Sequence, residues 1–300
     1  YILKRAKKQK VVIINEAHHR PKHRVLLTSM LQDFYDMGFR YLGLETLTQY
    51  GVDSLNIRKY PIYGTGTYTK EPQFADMVRE ALRIGFTLFA YEGKGSGKQR
   101  EITQAKNIKR QIKKDPKAKY LIYCGYQHAQ EGPLGNDWGK AMAGRLLEFT
   151  KINPLTVNQT KFDNRLNEKR LQPIQQSNRV EEPTVFLNPK KKSYLGEKYT
   201  DGFDVMVFHE QTKLDNGRPN WLASNGKKWV EVNLEDVSIQ PPFLVMAYPQ
   251  GENPNYSIPL DILEVKEKKN SIPLALRKGQ YQVVFQNIQR QAQRMNVKVE

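Results

Sequence analysis

Glu16, His18, His19 and His23 fall within the segment VVIINEAHHRPKH (residues 11–23), which holds three of the chain's five histidines. A histidine oriented by a glutamate is a general base near neutral pH, because the ordinary imidazole pKa lies close by. Two histidines and a carboxylate also make a ligand set for a divalent transition metal, with a position left for water. His19 and His23 are four apart, but Pro21 between them spoils the one-face geometry of a zinc pair, and no HExxH motif is present.

The elements that must position these residues follow from periodicity. KVVIIN (10–15) reads as a buried strand, and RVLLTSMLQDFYDMGF (24–39) as a helix with one apolar face. RYLGLE (40–45), TLFAYE (87–92), KYLIYCG (119–125) and PLTVNQT (154–160) read as further strands. The intervening helices are expected over 71–86, from about Glu101, and over 137–150. Near-continuous apolar strands alternating with amphipathic helices imply an α/β fold, a parallel sheet of βαβ units covered on both faces. The stretch 163–183 reads as a polar loop, and GFDVMVFHEQ (202–211) as one more strand of the sheet. Beyond it, short turn-bounded runs at 227–234, 242–248, 259–265 and 279–288 predict a small antiparallel β-sandwich. The expected domains are therefore 1–211 and 212–300.

In a parallel α/β sheet, ligands bind beyond the carboxyl ends of the strands. Strand one ends at Glu16, His18 and His19, strand two at Glu45, strand three at Glu92, and strand four at GYQHAQE with Tyr126 and His128. Arg100 and Glu101 open the helix after strand three. Four successive strands thus deliver carboxylates or imidazoles to one rim. Cys124, inside an apolar strand, reads as a small core residue. The long aromatic segment YPIYGTGTYTKEP (60–72) is either a lid over the rim or a surface excursion.

NEAHH resembles the Gly-Glu-Ala-Thr-His segment that opens the erythromycin esterase family, with Glu16 and His19 at the matching positions. It equally resembles the Gly-Glu-x-His start of the iron-regulated, haem-binding lipoprotein (ChaN-like) family, with Glu16 and His18 matching and His23 near that family's downstream histidines. With TraB-type proteins these form one loose superfamily. The resemblance extends to GLE at Glu45, REITQAKNI from Arg100 and CGYQHA at His128, covering roughly residues 10–160. Asn15 stands where those families have glycine, and histidine occupies both alternative positions.

Three mechanisms fit. The esterase resemblance implies metal-independent hydrolysis of an ester or amide: His19 is the expected base, Glu16 or Glu45 orients it, and Arg100 and His128 stabilise the oxyanion. A metal-dependent hydrolase would use His18 or His19, His128 and a carboxylate around a divalent metal. The lipoprotein resemblance implies haem or ligand binding without catalysis, through His18, His23, Glu92 or Tyr126. The first needs no cofactor, and all three take a small molecule.

Composition sets outer limits. The net charge of +17 raises a nucleic-acid reading, but the basic runs at 4–10, 106–119 and 190–192 are separated along the chain. The middle run alternates with Ile108 and Ile112 like a solvated helix face, and no nucleic-acid-binding motif accompanies it. Nucleic acid is therefore not an expected partner. The sequence has no apolar stretch of membrane-spanning length, and one cysteine rules out an internal disulfide. The first residue is not Met, which leaves a removed signal peptide and a trimmed start equally open; a sandwich after an α/β unit tilts the expected setting towards an extracytoplasmic one.

Overall fold

The computed structural model describes residues 1–163, 180–196 and 202–300. Most of the polar stretch expected as a loop at 163–183 lies outside the described residues. The chain begins with helix α1 (Ile2–Ala6) and strand β1 (Val11–Glu16), then α2 (Lys22–Asp36), β2 (Phe39–Leu44), α3 (Val52–Arg58), α4 (Pro72–Ile84) and β3 (Thr87–Ala90). It continues with α5 (Gly97–Lys114), β4 (Lys119–Gly125), a 3₁₀ turn (Tyr126–Ala129), α6 (Met142–Thr150), β5 (Leu155–Phe162) and β6 (Val205–Phe208).

The six strands form one parallel sheet in the order β3-β2-β4-β1-β5-β6. All six residues of β1 are buried, because the strand is covered on both faces. Alternate side chains go opposite ways: Val12 and Ile14 pack with Leu27, Leu31 and Phe34 of α2 and Val78 of α4. Val11 and Ile13 pack with Ile108 of α5 and Leu146 of α6. That two-sided core makes the strand read as a continuous apolar run. The run ends where Asn15 and Glu16 reach the rim.

Several boundaries depart from the sequence reading. The helix expected over 137–150 starts at Met142, because Gly139 takes a positive φ of 70° in the loop before it. The helix expected from Glu101 starts earlier, at Gly97. Helices α1 and α3 were not anticipated, being too short for a periodic signal.

The rest of the chain is β: β7 (Leu214–Asp215), β8 (Arg218–Pro219), β9 (Lys228–Asn233), β10 (Phe243–Pro249), β11 (Asp261–Val265), β12 (Ser271–Leu276), β13 (Gly279–Asn287) and β14 (Ala292–Val299). A four-stranded antiparallel sheet, β11-β10-β13-β14, packs with the β9–β12 pair around Val232, Val245, Leu274, Val283 and Phe285. Strands β7, β8, β12 and β14 fall outside the expected runs; β14 alternates exposed and half-buried residues along most of its length. Buried ion pairs fasten this layer to the α/β part. Lys227 Nζ lies 3.0 Å from Asp76 of α4, Arg277 also binds Asp76, and Arg79 of α4 pairs with Glu252.

Candidate functional site

The carboxyl ends of β1, β2 and β4 lie side by side, with that of β3 next to β2, and their terminal residues meet. Glu16 is 1% exposed and ends β1. Its Oε1 lies 2.8 Å from His18 Nδ1, and Arg24, buried in the first turns of α2, donates to both of its oxygens at 2.7 and 2.9 Å. Burial pushes the Glu16 carboxyl upward, but hydrogen bonds from His18 and Arg24 and the Arg24 charge outweigh it and hold the pKa at about 2. Arg24 also donates to the His18 carbonyl and to Glu71, the N-cap of α4. The turn after β1 is therefore fixed from below by one guanidinium.

An ionised Glu16 accepts the Nδ1 proton of His18, which leaves Nε2 as the free lone pair. The His18 ring is stacked on Tyr68 at 3.8 Å and meets Tyr126 edge-on at 5.2 Å. Its Nε2 lies so close over Gly125 that a Cβ added there would stand 2.3 Å from it. That Cβ position is also 3.4 Å from Glu45 Oε2, so the imidazole and the Glu45 carboxylate flank the same backbone.

A second imidazole faces this gap. His128, on the 3₁₀ turn after β4, has Nδ1 2.8 Å from Glu101 Oε2 and Nε2 3.0 Å from Arg100 Nη1. The Arg100 contact is a hydrogen bond to the neutral ring, which accepts at Nε2 and donates from Nδ1. Burial lowers the His128 pKa, but the Glu101 hydrogen bond and the charges of Glu45 and Glu101 raise it on balance. Glu101 is fully buried and also accepts from the backbone N–H of Met142 at the start of α6. Trp138 lies over His128, with ring centroids 6.0 Å apart.

Glu45 sits between the two Glu–His pairs. Its Oε2 accepts from the Gly125 N–H at 2.6 Å, and its Oε1 accepts from Arg100 Nη2 at 2.5 Å and lies 3.5 Å from His128 Nε2. Arg100 also forks onto Glu92 at 3.0 and 2.6 Å. Burial raises Glu92, and the Arg100 hydrogen bonds more than offset it. Tyr126 holds a left-handed φ of 40°, a strained state for a tyrosine. Its carbonyl accepts from Asn15 Nδ2 at 2.6 Å, so the residue before Glu16 anchors this turn.

The structure thus brings Glu16, His18, Glu45, Glu92, Arg100 and His128 together, and it separates His19 and His23 from them. His19, the expected base, is exposed at the edge of the turn, with Nδ1 3.0 Å from the Tyr126 hydroxyl. The imidazole that Glu16 orients is its neighbour. His23 is fully buried: its Nδ1 accepts from the Ala17 N–H at 3.0 Å, its ring packs on His209 at 4.8 Å, and burial lowers its pKa. It closes the turn after β1 from beneath. Tyr126, the expected haem ligand, directs its hydroxyl to His19. Cys124 is buried, and burial drives its thiol pKa well up.

Sequence reasoning missed Arg24, Tyr68 and the site role of Glu101. Arg24 carried a signal in retrospect, since a lone arginine on the first turn of an apolar helix face needs a buried anion. Among the described residues, no three or more His, Cys, Asp or Glu side chains are arranged to hold a metal ion. The metal set expected from His18, His128 and a carboxylate does not fit, because Arg100 lies against both His128 Nε2 and Glu45 Oε1. No described helix is long and apolar enough to cross a membrane.

No protein-family model and no curated protein sequence matches the chain. Among solved structures it is similar to the type III effector HopBA1 at 11% identity and a TM-score of 0.41, over 70% of this chain and 92% of that one. It is also similar to RRSP, a MARTX toxin effector domain from Vibrio vulnificus, at 13% identity and a TM-score of 0.40; that match covers 53% of this chain and 35% of that one. A Bacillus cereus protein matches at 9% identity and a TM-score of 0.37, over 91% and 87% of the two chains.

Proposed function

We propose that the rim is the active site of a hydrolase acting on an ester or amide bond, with His18 as general base. One observation carries this reading: an imidazole held by a buried, ionised Glu16 keeps its Nε2 free beside the Glu45 carboxylate. His18 Nε2 takes a proton from a water that Glu45 helps to orient, and the water oxygen attacks the substrate carbonyl. Glu16 keeps the Nδ1 proton in place and stabilises the imidazolium that forms. Arg100 stabilises the oxyanion, and Glu45 and Glu92 fix its direction. The His18 imidazolium then returns its proton to the leaving oxygen or nitrogen as the tetrahedral intermediate collapses. His128, held by Glu101, sets the position of Arg100. The resemblance of NEAHH to the start of the erythromycin esterase family supports the same class of reaction, with His18 in place of His19 as the base.

The test is hydrolysis of a panel of p-nitrophenyl esters and aryl amides by wild type, His18→Ala and His19→Ala. Loss of on the order of 10²–10⁴ in kcat/KM in His18→Ala alone is expected. Equal rates in wild type and His18→Ala, or the loss appearing in His19→Ala instead, would overturn the assignment.

A further inference from the structure

Two of the basic runs that are separate in sequence, 4–10 and 106–119, do not stay separate in the fold. Strands β2, β4 and β1 are neighbours in the sheet, so the turns that lead into them share the pole opposite the rim. The register pairs Phe39 with Lys119 and Val11 with Tyr120. Lys119 Nζ donates to the Lys7 carbonyl at 2.8 Å, and Lys10 Nζ donates to the Pro116 carbonyl. These bonds draw the end of α1 and the α5–β4 turn together. Lys7, Lys8, Arg40, Lys113, Lys114 and Lys117 are all exposed there.

Three acidic groups, Asp33, Asp36 and Asp115, stand in these turns against the six exposed cations, so the face stays positive. Asp115 is half-buried and accepts from the Tyr41 hydroxyl and the backbone N–H groups of Lys117 and Ala118. Asp33 and Asp36 are exposed at the end of α2, in the approach to β2 that also carries Arg40, and Asp36 accepts from Gln32.

We infer that this pole docks on the anionic headgroup surface of a lipid bilayer, with the candidate active site turned towards the solution. Five of the six exposed cations are lysines, compact charges that suit phosphate and carboxylate headgroups without fixed geometry. They come from three separate turns and make a two-dimensional patch, whereas a single-stranded nucleic-acid track calls for a groove lined with stacking platforms. The aromatic rings of this pole offer no such platform. Tyr41 stacks on Tyr120, Phe39 and Tyr120 are fully buried, and Tyr35 lies beneath the Arg40 guanidinium.

The experiment is co-sedimentation of the full chain with sucrose-loaded vesicles of phosphatidylcholine alone or mixed with phosphatidylserine. Two triple variants remove the same charge, Lys113→Gln/Lys114→Gln/Lys117→Gln at the pole and Lys266→Gln/Lys268→Gln/Lys269→Gln on the β-domain. All six lysines are exposed, and circular dichroism checks that both variants fold. Wild type should sediment with the phosphatidylserine vesicles only, and high salt should release it. The pole variant should partition on the order of 100-fold more weakly, at about fivefold per lysine, and the β-domain variant close to wild type. Equal losses in the two variants would show that net charge alone drives binding and would overturn the inference. So would failure of wild type to sediment, or tighter, pole-dependent binding to a duplex DNA oligonucleotide.

Discussion

His18 Nδ1 stands 2.8 Å from Glu16 Oε1, and the same carboxylate is gripped on both oxygens by Arg24. His18 and Arg24 together hold Glu16 ionised, and Glu16 fixes the tautomer of His18. In the hydrolase reading, Glu16→Gln lowers kcat/KM by on the order of 10²–10⁴, because a glutamine neither stabilises the imidazolium nor enforces the tautomer. The double variant Glu16→Gln/His18→Ala should lose no more than His18→Ala alone, since the two residues act as one unit. Additive losses in that cycle would separate Glu16 from His18. Glu16→Gln should also lower the urea midpoint, because Arg24 is left buried with only Glu71 as its anion.

Gly125 gives a purely steric test. Its φ of −83° is open to any residue, yet an added Cβ would stand 2.3 Å from His18 Nε2. Gly125→Ala is therefore expected to swing the imidazole off its position with little strain in the backbone. Catalytic efficiency should fall by on the order of 100-fold, as for a misplacement of about 1 Å, while the melting temperature stays near that of wild type. A fully active Gly125→Ala would show that His18 is not held at this spot during turnover.

Glu131 follows the His128 turn, and burial raises its carboxyl from the ordinary 4.5 to about 7, against the hydrogen bond from the Thr156 hydroxyl. The folded state thus holds the proton more tightly than the unfolded state. Its contribution to stability is complete below pH 4.5 and is lost as pH rises through 7. Chemical denaturation of wild type across this window should show that decline, and Glu131→Gln should flatten it and be the more stable protein at pH 8. A parallel decline in both proteins would assign the effect to other groups.

How much of this was legible in the sequence depends on what sets each position. Glu45, Glu92 and His128 sit where apolar runs stop, and burial fixes those stops, so their arrival at one rim could be read from the strands. The choice between His18 and His19 could not. It turns on a single step of backbone rotation after Glu16, which the buried Arg24 and the Gly125 gap decide from other elements. The gathering of lysines at the far pole was illegible for the same reason: strand order, unlike strand identity, is not written in local periodicity.

Tyr68 ties the β-domain to the rim. Its ring lies on His18 at 3.8 Å with planes 13° apart, and its N–H donates to Thr46 Oγ1 at 2.9 Å. Earlier in the same segment, Ile62 bridges to Ser257, and the Tyr63 N–H donates to the Tyr256 carbonyl at 2.9 Å. The segment 60–70 is thus anchored on the β-domain at one end and lies on the candidate base at the other. Such a stack is worth about 0.5–1.5 kcal/mol beyond burial, so Tyr68→Ala should lower kcat/KM by about 2- to 12-fold. Tyr68→Phe should stay within about twofold of wild type, because the ring is kept and only the hydroxyl is removed. Cutting this anchor with Tyr63→Pro, which removes the N–H that donates to the Tyr256 carbonyl, should move kcat/KM in the same direction as Tyr68→Ala and add little to it in the double variant, since both act on one stack. Independent, additive losses would show that the β-domain serves the fold and not the placement of Tyr68.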